Sequence, residues 1–175
     1  MSAGMNEAET RLNYIDSDLR SSGWGLPDNG TRIRAEFSIT PGRIEGHGRR
    51  GTPLKADYVL EYKNRKIAVV EAKKYDLHVS EGVQQAKDYA ERLDIRFTYS
   101  TNGQGFYEID MATGIEREIE RDEFPTPEEL WERTFDKPDE LRDSFATIPF
   151  EDRGGTWSPR YYQDNAIERA LKAIS

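Results

Sequence analysis

Apolar residues recur at helical spacing from about residue 6 to 21, where Ala8, Leu12, Ile15 and Leu19 share one face and Gly23 and Gly25 mark a stop. A strand is predicted at about 32–39. The stretch PGRIEGHGRRGTP (41–53) is too rich in turn formers for regular structure and predicts a long loop. Two β-type runs follow, ADYVLEY (56–62) and KIAVVEAK (66–73), parted by Lys63, Asn64 and Arg65, which predicts a hairpin. Val83, Ala86 and Ala90, continued by Leu93, outline an amphipathic helix at about 80–92, and a strand at about 95–100 completes a βαβ-like passage. Asn102-Gly103 and Thr113-Gly114 punctuate alternating residues in 101–119 and predict two more short strands. Two helices are predicted later, at PEELWERTF (127–135) and at PRYYQDNAIERALKAIS (159–175).

Length and composition narrow the class. A chain of 175 residues suits one domain and an appendage, and is too short for two enzymatic domains. It contains no cysteine, so any metal must be held by carboxylate, carbonyl, imidazole or water, and oxygen ligands favour magnesium or manganese. No run reaches the roughly 18 apolar residues of a membrane span, and no signal-peptide pattern opens the chain, so a cytoplasmic protein without a membrane partner is expected. The net charge of −8 argues against a nucleic-acid ligand until it is divided by region. Residues 1–107 carry +1, residues 108–152 carry −11 and residues 153–175 carry +2. The acidic excess belongs to one segment suited to solvent or a protein partner, and the first region remains free to meet DNA.

The predicted hairpin holds the chemistry. With a three-residue turn, Val59 faces Val69 and Asp57 faces Glu71; with a two-residue turn Asp57 falls opposite Ala72, one step away. Either register brings two carboxylates together. Lys73 shares the face of Glu71, while Tyr58, Leu60, Ala68 and Val70 point to the other, so both faces carry apolar residues and the strands are expected at the centre of a sheet. Two facing carboxylates in such a place repel and are costly to desolvate unless a cation lies between them. Magnesium, which takes one or two carboxylates along with waters and phosphate oxygens, fits that demand. Lys73 could orient or deprotonate a water, or neutralise charge on a phosphorane-like transition state. The reaction class that follows is phosphodiester hydrolysis. Glu71 and Lys73 alone would be an ordinary same-face ion pair; the matching position of Asp57 and the following helix, with Gln85 and Tyr89 on one flank, turn the pair into a candidate site.

Arg43, Arg49, Arg50 and His47 crowd the loop ahead of Asp57 against one acid, Glu45, which suits phosphate contact, and Lys74 follows the catalytic lysine candidate. His47 and His78 read as loop residues, and Trp24, Trp131 and Trp157 as packing anchors.

Asp57, the Glu71-Ala72-Lys73 triplet and the Gln85-to-Tyr89 pair resemble the PD-(D/E)xK nuclease domain at the N-terminus of type I restriction enzyme motor (R) subunits. So do, in the same order, NEAETR (6–11) with Gly23-Trp24, KADYVL (55–60), EGVQQAKDYA (81–90), YSTNG (99–103) and EDRGGTWSPRYYQ (151–163). The resemblance implies an α/β, restriction-endonuclease-like core: a mixed β-sheet flanked by helices. It implies Asp57 and Glu71 as metal ligands, the Ala72 carbonyl as a further ligand, Lys73 as the catalytic lysine, and Gln85 and Tyr89 as supporting catalytic-site residues. An acid from the first helix, Glu7 or Glu9, is expected to join the metal, with Glu7 preferred. Ala56 stands where the namesake proline often precedes the aspartate, a backbone-shaping position without chemistry. The implied organisation is a nuclease core at 1–120, an acidic connector at 121–158 and, at 159–175, the start of a truncated superfamily 2 helicase motor. Gln163 stands where such motors contact adenine, but no phosphate-binding loop follows, so ATP is expected to bind only in a full-length protein. The implied function is Mg2+-dependent (Mn2+ as substitute) endonucleolytic cleavage of double-stranded DNA in a type I restriction system. The implied partners are the C-terminal motor and the modification and specificity subunits. Alternatives on the same residues are the nuclease domain of a repair or defence helicase outside restriction, and a non-catalytic scaffold docking the motor to partner subunits.

Overall fold

The computed structural model describes residues 5–40, 44–45, 49–50, 53–135, 137 and 139–146, together with positions 163, 166, 167, 169, 170 and 173. The first helix, α1 (residues 7–21), opens with a capping box between Asn6 and Glu9. Its segments Glu7–Thr10 and Asp16–Ser21 are α-helical, but Arg11–Ile15 between them is a π turn. That turn holds one residue more than an α turn, so the positions before it are rotated by about 100° relative to those after it. Ile15 and Leu19 are buried as their spacing predicts. The other half of the expected apolar face is not: Ala8 is exposed and Leu12 is 73% exposed, while Thr10 is buried and Glu7 and Arg11 are half-buried in their stead.

Six strands form one mixed sheet: β1 (Thr31–Thr40), β2 (Leu54–Tyr62), β3 (Arg65–Ala72), β4 (Phe97–Thr101), β5 (Phe106–Asp110) and β6 (Glu116–Ile119). They lie side by side in chain order. Neighbours are antiparallel except β3 and β4, whose parallel pairing requires a crossover, supplied by helix α2 (Val83–Leu93). The predicted α/β class and mixed sheet are what the chain adopts. The loop expected across 41–53 contains a two-residue ribbon, Ile44–Glu45 paired with Arg49–Arg50.

The β2–β3 hairpin departs from the three-residue turn expectation in an instructive way. Lys63 and Asn64, both at positive φ (49° and 60°), make a two-residue turn whose twist suits a hairpin. Tyr62 then pairs with Arg65 and Glu61 with Lys66, but Leu60 pairs with Ala68. The residue skipped, Ile67, is a bulge, and beyond it Val59 faces Val69 and Tyr58 faces Val70, the register of a three-residue turn. Turn plus bulge therefore carries Asp57 towards Glu71.

The sheet is buried on both sides. One face packs Tyr58, Leu60, Ala68, Val70, Phe97 and Tyr99 against Ile15, Leu19, Trp24, Phe124, Leu130 and Trp131; the other packs Ala56, Val59 and Val69 against Tyr89 and Leu93 of α2. The acidic segment thus enters the core up to helix α3 (Pro127–Thr134), which starts with Pro127 behind a Thr126–Glu129 capping box. Trp24 Nε1 donates to the Pro125 carbonyl at 2.9 Å, and Arg121 forks onto Asp18 of α1 at 2.7 and 2.8 Å. Arg133 of α3 forks onto buried Glu108 at 2.7 and 2.9 Å, where Arg117 Nε and the Tyr99 hydroxyl also donate, at 2.9 and 2.7 Å. Burial alone would raise the Glu108 carboxyl, but these donors together hold it below its ordinary value. A last helix, α4 (Glu140–Ala146), follows. Trp24 and Trp131 are packing anchors as predicted; Trp157 and His47 lie outside the described residues.

Candidate active site

Asp57 is near the open end of the hairpin, where the β2–β3 ladder gives way to a side-chain contact: Asp57 Oδ2 accepts the Ala72 N–H at 2.8 Å. The contact of Ala72 with Asp57 is thus through its N–H. Glu71 lies on β3, between β2 and β4, opposite Ser100, and is 2% exposed. Its Oε1 accepts from Lys73 Nζ at 3.0 Å; its Oε2 is buried and has no hydrogen-bond partner. Burial and then the neighbouring charge of Asp57 push the Glu71 carboxyl up to about 7, against the opposing pull of Lys73. Lys73 shifts upwards because the hydrogen bond and charge of Glu71 outweigh its own burial.

Helix α2 supplies the second support. Lys73 Nζ also donates to Gln85 Oε1 at 2.9 Å, and Gln85 Nε2 donates to the Tyr89 hydroxyl at 2.7 Å, an i to i+4 contact. Burial, the largest influence on Tyr89, raises its phenol. A chain Glu71–Lys73–Gln85–Tyr89 therefore fixes the ammonium between strand and helix. Gly82, just before α2, makes this approach possible. A Cβ there would lie 2.7 Å from Ser100 Oγ, 2.9 Å from Lys73 Cε and 3.1 Å from Glu71 Cγ. Its N–H donates to Ser100 Oγ at 3.0 Å.

From the other side comes α1. Glu7 is half-buried and close enough for its charge to act on both Glu71 and Lys73, whereas Glu9 is exposed and committed to the capping box. Arg11 makes a 3.4 Å ion pair with Asp57 Oδ1 and donates from Nε to the Tyr58 hydroxyl at 3.2 Å; that hydroxyl in turn donates to Asp16 Oδ1 at 2.7 Å.

The structure thus brings Asp57, Glu71, Lys73, Gln85 and Tyr89 together, with Ala72 bonded to Asp57 and Glu7 facing them. Lys74 is exposed just past the strand end. Arg43 and the side chains of Arg49 and Arg50 lie outside the described residues; Gln163 is helical and exposed. The sequence reading missed Arg11, Tyr58, Gly82 and Ser100 as site residues. All four fall inside the family-like phrases NEAETR, KADYVL, EGVQQAKDYA and YSTNG, but nothing in the spacing of those phrases marks them as site residues.

The donor set fits a hard divalent cation. The buried Glu71 Oε2, beside a second carboxylate, has no hydrogen-bond partner, and carboxylate oxygens are what magnesium or manganese take. Among the described residues no three His, Cys, Asp or Glu side chains form a ready-made cage. Such a site suits an ion that keeps most of its waters. Among the same residues, no helix is long and apolar enough to cross a membrane.

Comparison with known proteins places these residues in a family context. Residues 44–96, which contain the hairpin and α2, match the family model described as the second domain of the type I restriction enzyme EcoKI endonuclease subunit. The type I restriction enzyme EcoAI endonuclease subunit of Escherichia coli is 33% identical over 99% of this chain, and the EcoKI endonuclease subunit of E. coli strain K12 is 28% identical over 97%. The chain spans 22% and 19% of their lengths. A solved fragment described as an HsdR subunit of a type I restriction enzyme from Vibrio vulnificus YJ016 superposes with a TM-score of 0.76. The two share 38% identity, over 99% of this chain and 33% of that one.

Proposed function

This chain belongs to the type I restriction enzyme endonuclease (R) subunit family, as an N-terminal domain of such subunits, and on that footing we propose that it is their metal-dependent DNA-cleaving centre. The observation that carries the proposal is the unpartnered Glu71 Oε2, buried in mid-sheet beside Asp57 and within a side chain's length of Lys73. Lys73 accounts for Oε1 alone, and a second carboxylate oxygen kept there at the cost of desolvation is what a cation ligand needs.

Asp57 and Glu71 would hold the cation, Mg2+ or Mn2+, with Glu7 and the Ala72 carbonyl as further ligands. A cation bound there supplies Lewis acidity towards a phosphate oxygen and lowers the pKa of a neighbouring water. The protein's own part is positioning. Asp57 is held through Ala72 N–H and Arg11, so its carboxylate is oriented before any ligand arrives. Lys73 uses two of its three N–H donors on Glu71 and Gln85, and the third remains to meet the negative charge that develops on a phosphate under attack. Tyr89 fixes Gln85, and Gln85 fixes Lys73.

In this reading double-stranded DNA is the substrate, and Arg43, Arg49, Arg50 and Lys74 contact its phosphates. A C-terminal ATP-driven motor, in which Gln163 meets adenine, and modification and specificity subunits complete the assembly. The test is an assembled enzyme whose R subunit carries Glu71→Ala or Lys73→Ala. DNA-stimulated ATP hydrolysis should persist while strand cleavage is lost. Cleavage at the wild-type rate in both variants would instead assign the domain a scaffolding role.

A further inference from the structure

Arg11 is placed where a cation ligand's partner ought to be. Its guanidinium pairs with Asp57 Oδ1 at 3.4 Å and with Glu36 Oε1 at 3.6 Å, and sits 4.9 Å from the centre of the Tyr58 ring. Glu36 lies between Ala35 and Phe37, which pair with Tyr58 and Ala56, so it falls opposite Asp57, at a φ of 50° that non-glycine residues seldom adopt. Tyr58, itself tied to Asp16, anchors the guanidinium from below. The π turn is what aims it: with unbroken α-helical phase Leu12 would occupy this face, and the structure leaves Leu12 in solvent. One-turn π segments of this kind concentrate at functional sites.

Charge decides what this placement does. Asp57, Glu71, Glu7 and Glu36 are the acids of this cluster, and Lys73, paired with Glu71, and Arg11, paired with Asp57 and Glu36, offset part of their negative charge. A cation approaching Asp57 meets a carboxylate that already has a positive partner, and it is repelled by that partner. A DNA phosphate entering beside them competes for Arg11 and adds negative charge, and both strengthen the attraction for a cation.

Resting on the reading of Asp57 and Glu71 as cation ligands, we propose that Arg11 is a positioning residue that orients Asp57 while keeping cation affinity low until a phosphate arrives. Cation loading and DNA binding are then coupled, each strengthening the other, as linkage requires.

The experiment is calorimetric titration of Mn2+ into this chain and its Arg11→Gln, Arg11→Lys and Asp57→Asn variants, each with and without a short DNA duplex, and each checked by thermal unfolding. Without DNA, Arg11→Gln should bind Mn2+ at least about tenfold more tightly than wild type, and Arg11→Lys, which keeps the charge, about as weakly. The duplex should tighten Mn2+ binding several-fold in wild type and much less in Arg11→Gln. If Arg11→Gln does not fold, Arg11→Met, which keeps the aliphatic stem on Tyr58, replaces it; failure of both to fold assigns Arg11 to the core and overturns the proposal. Equal or weaker Mn2+ binding in Arg11→Gln, with binding lost in Asp57→Asn, overturns the role of Arg11 alone. Wild-type affinity in Asp57→Asn, or no binding by any variant even with DNA, overturns the cation site and this inference with it.

Discussion

Replacing Glu71 by glutamine should stabilise the cation-free domain, and the gain should depend on pH. Glu71 is 2% exposed and its carboxyl is raised from an ordinary 4.5 to about 7, first by burial and then by Asp57. The native state therefore holds this proton more tightly than the unfolded chain does. The contribution is fully present below about pH 4.5 and is lost as pH rises to about 7, above which the penalty is constant. At about 1.4 kcal/mol per unit, the loss amounts to about 3 kcal/mol. Glutamine mimics the neutral acid but leaves an amide N–H without an acceptor, which costs about 1 kcal/mol. Urea unfolding in the presence of a chelator, at about pH 5 and about pH 9, measures the difference. Glu71→Gln should be more stable than wild type by about 2 kcal/mol at the higher pH, with a gap about 2–3 kcal/mol smaller at the lower. Saturating Mg2+ should erase the advantage, since only the wild type gains from binding it. A variant less stable than wild type at high pH, or a gap that ignores pH, would refute the claim that a desolvated, like-charged carboxylate lies at the centre of the sheet.

Gly82→Ala should lose most cleavage activity and about 1–3 kcal/mol of stability, because its Cβ would lie 2.7 Å from Ser100 Oγ and 2.9 Å from Lys73 Cε; paired cleavage and denaturation assays check this, and near-wild-type cleavage would count against it. Gln85→Ala should leave Mn2+ affinity within about twofold while lowering the cleavage rate by about tenfold or more, since it frees Lys73 without touching either carboxylate; a matching fall in Mn2+ affinity would contradict the positioning role. Glu108→Ala should destabilise the domain by about 3–5 kcal/mol by stranding Arg133 and the Tyr99 hydroxyl, yet leave Mn2+ binding intact in the folded fraction. Denaturation and calorimetry on the same preparation separate the two effects.

The hairpin was legible in the sequence because alternation, β-branched content and the matching positions of Asp57 and Glu71 all pointed to one arrangement. Its turn was not, since a two-residue turn with a bulge at Ile67 and a three-residue turn lead to the same register at the site. The chain shows where Gln85 and Tyr89 fall on α2, because a regular helix preserves spacing. On α1 spacing misled, because a π turn leaves no mark in the hydrophobic period yet turns Leu12 outward and Glu7 and Arg11 inward. Gly82 was invisible as a site residue because its constraint comes from Ser100 and Lys73, which only the folded sheet brings near. In the acidic segment net charge obscured the apolar positions Phe124, Leu130 and Trp131, whose burial depends on partners distant in sequence.

If the reading of the site is right, Asp57 and Glu71 bind one cation beside Lys73. Anomalous diffraction from crystals of this chain soaked in manganese tests it most directly. A peak is expected within ligand distance of a carboxylate oxygen of Asp57 and of Glu71 Oε2, absent in Glu71→Gln crystals soaked the same way. No peak there under saturating manganese, or an undiminished peak in the variant, would contradict it.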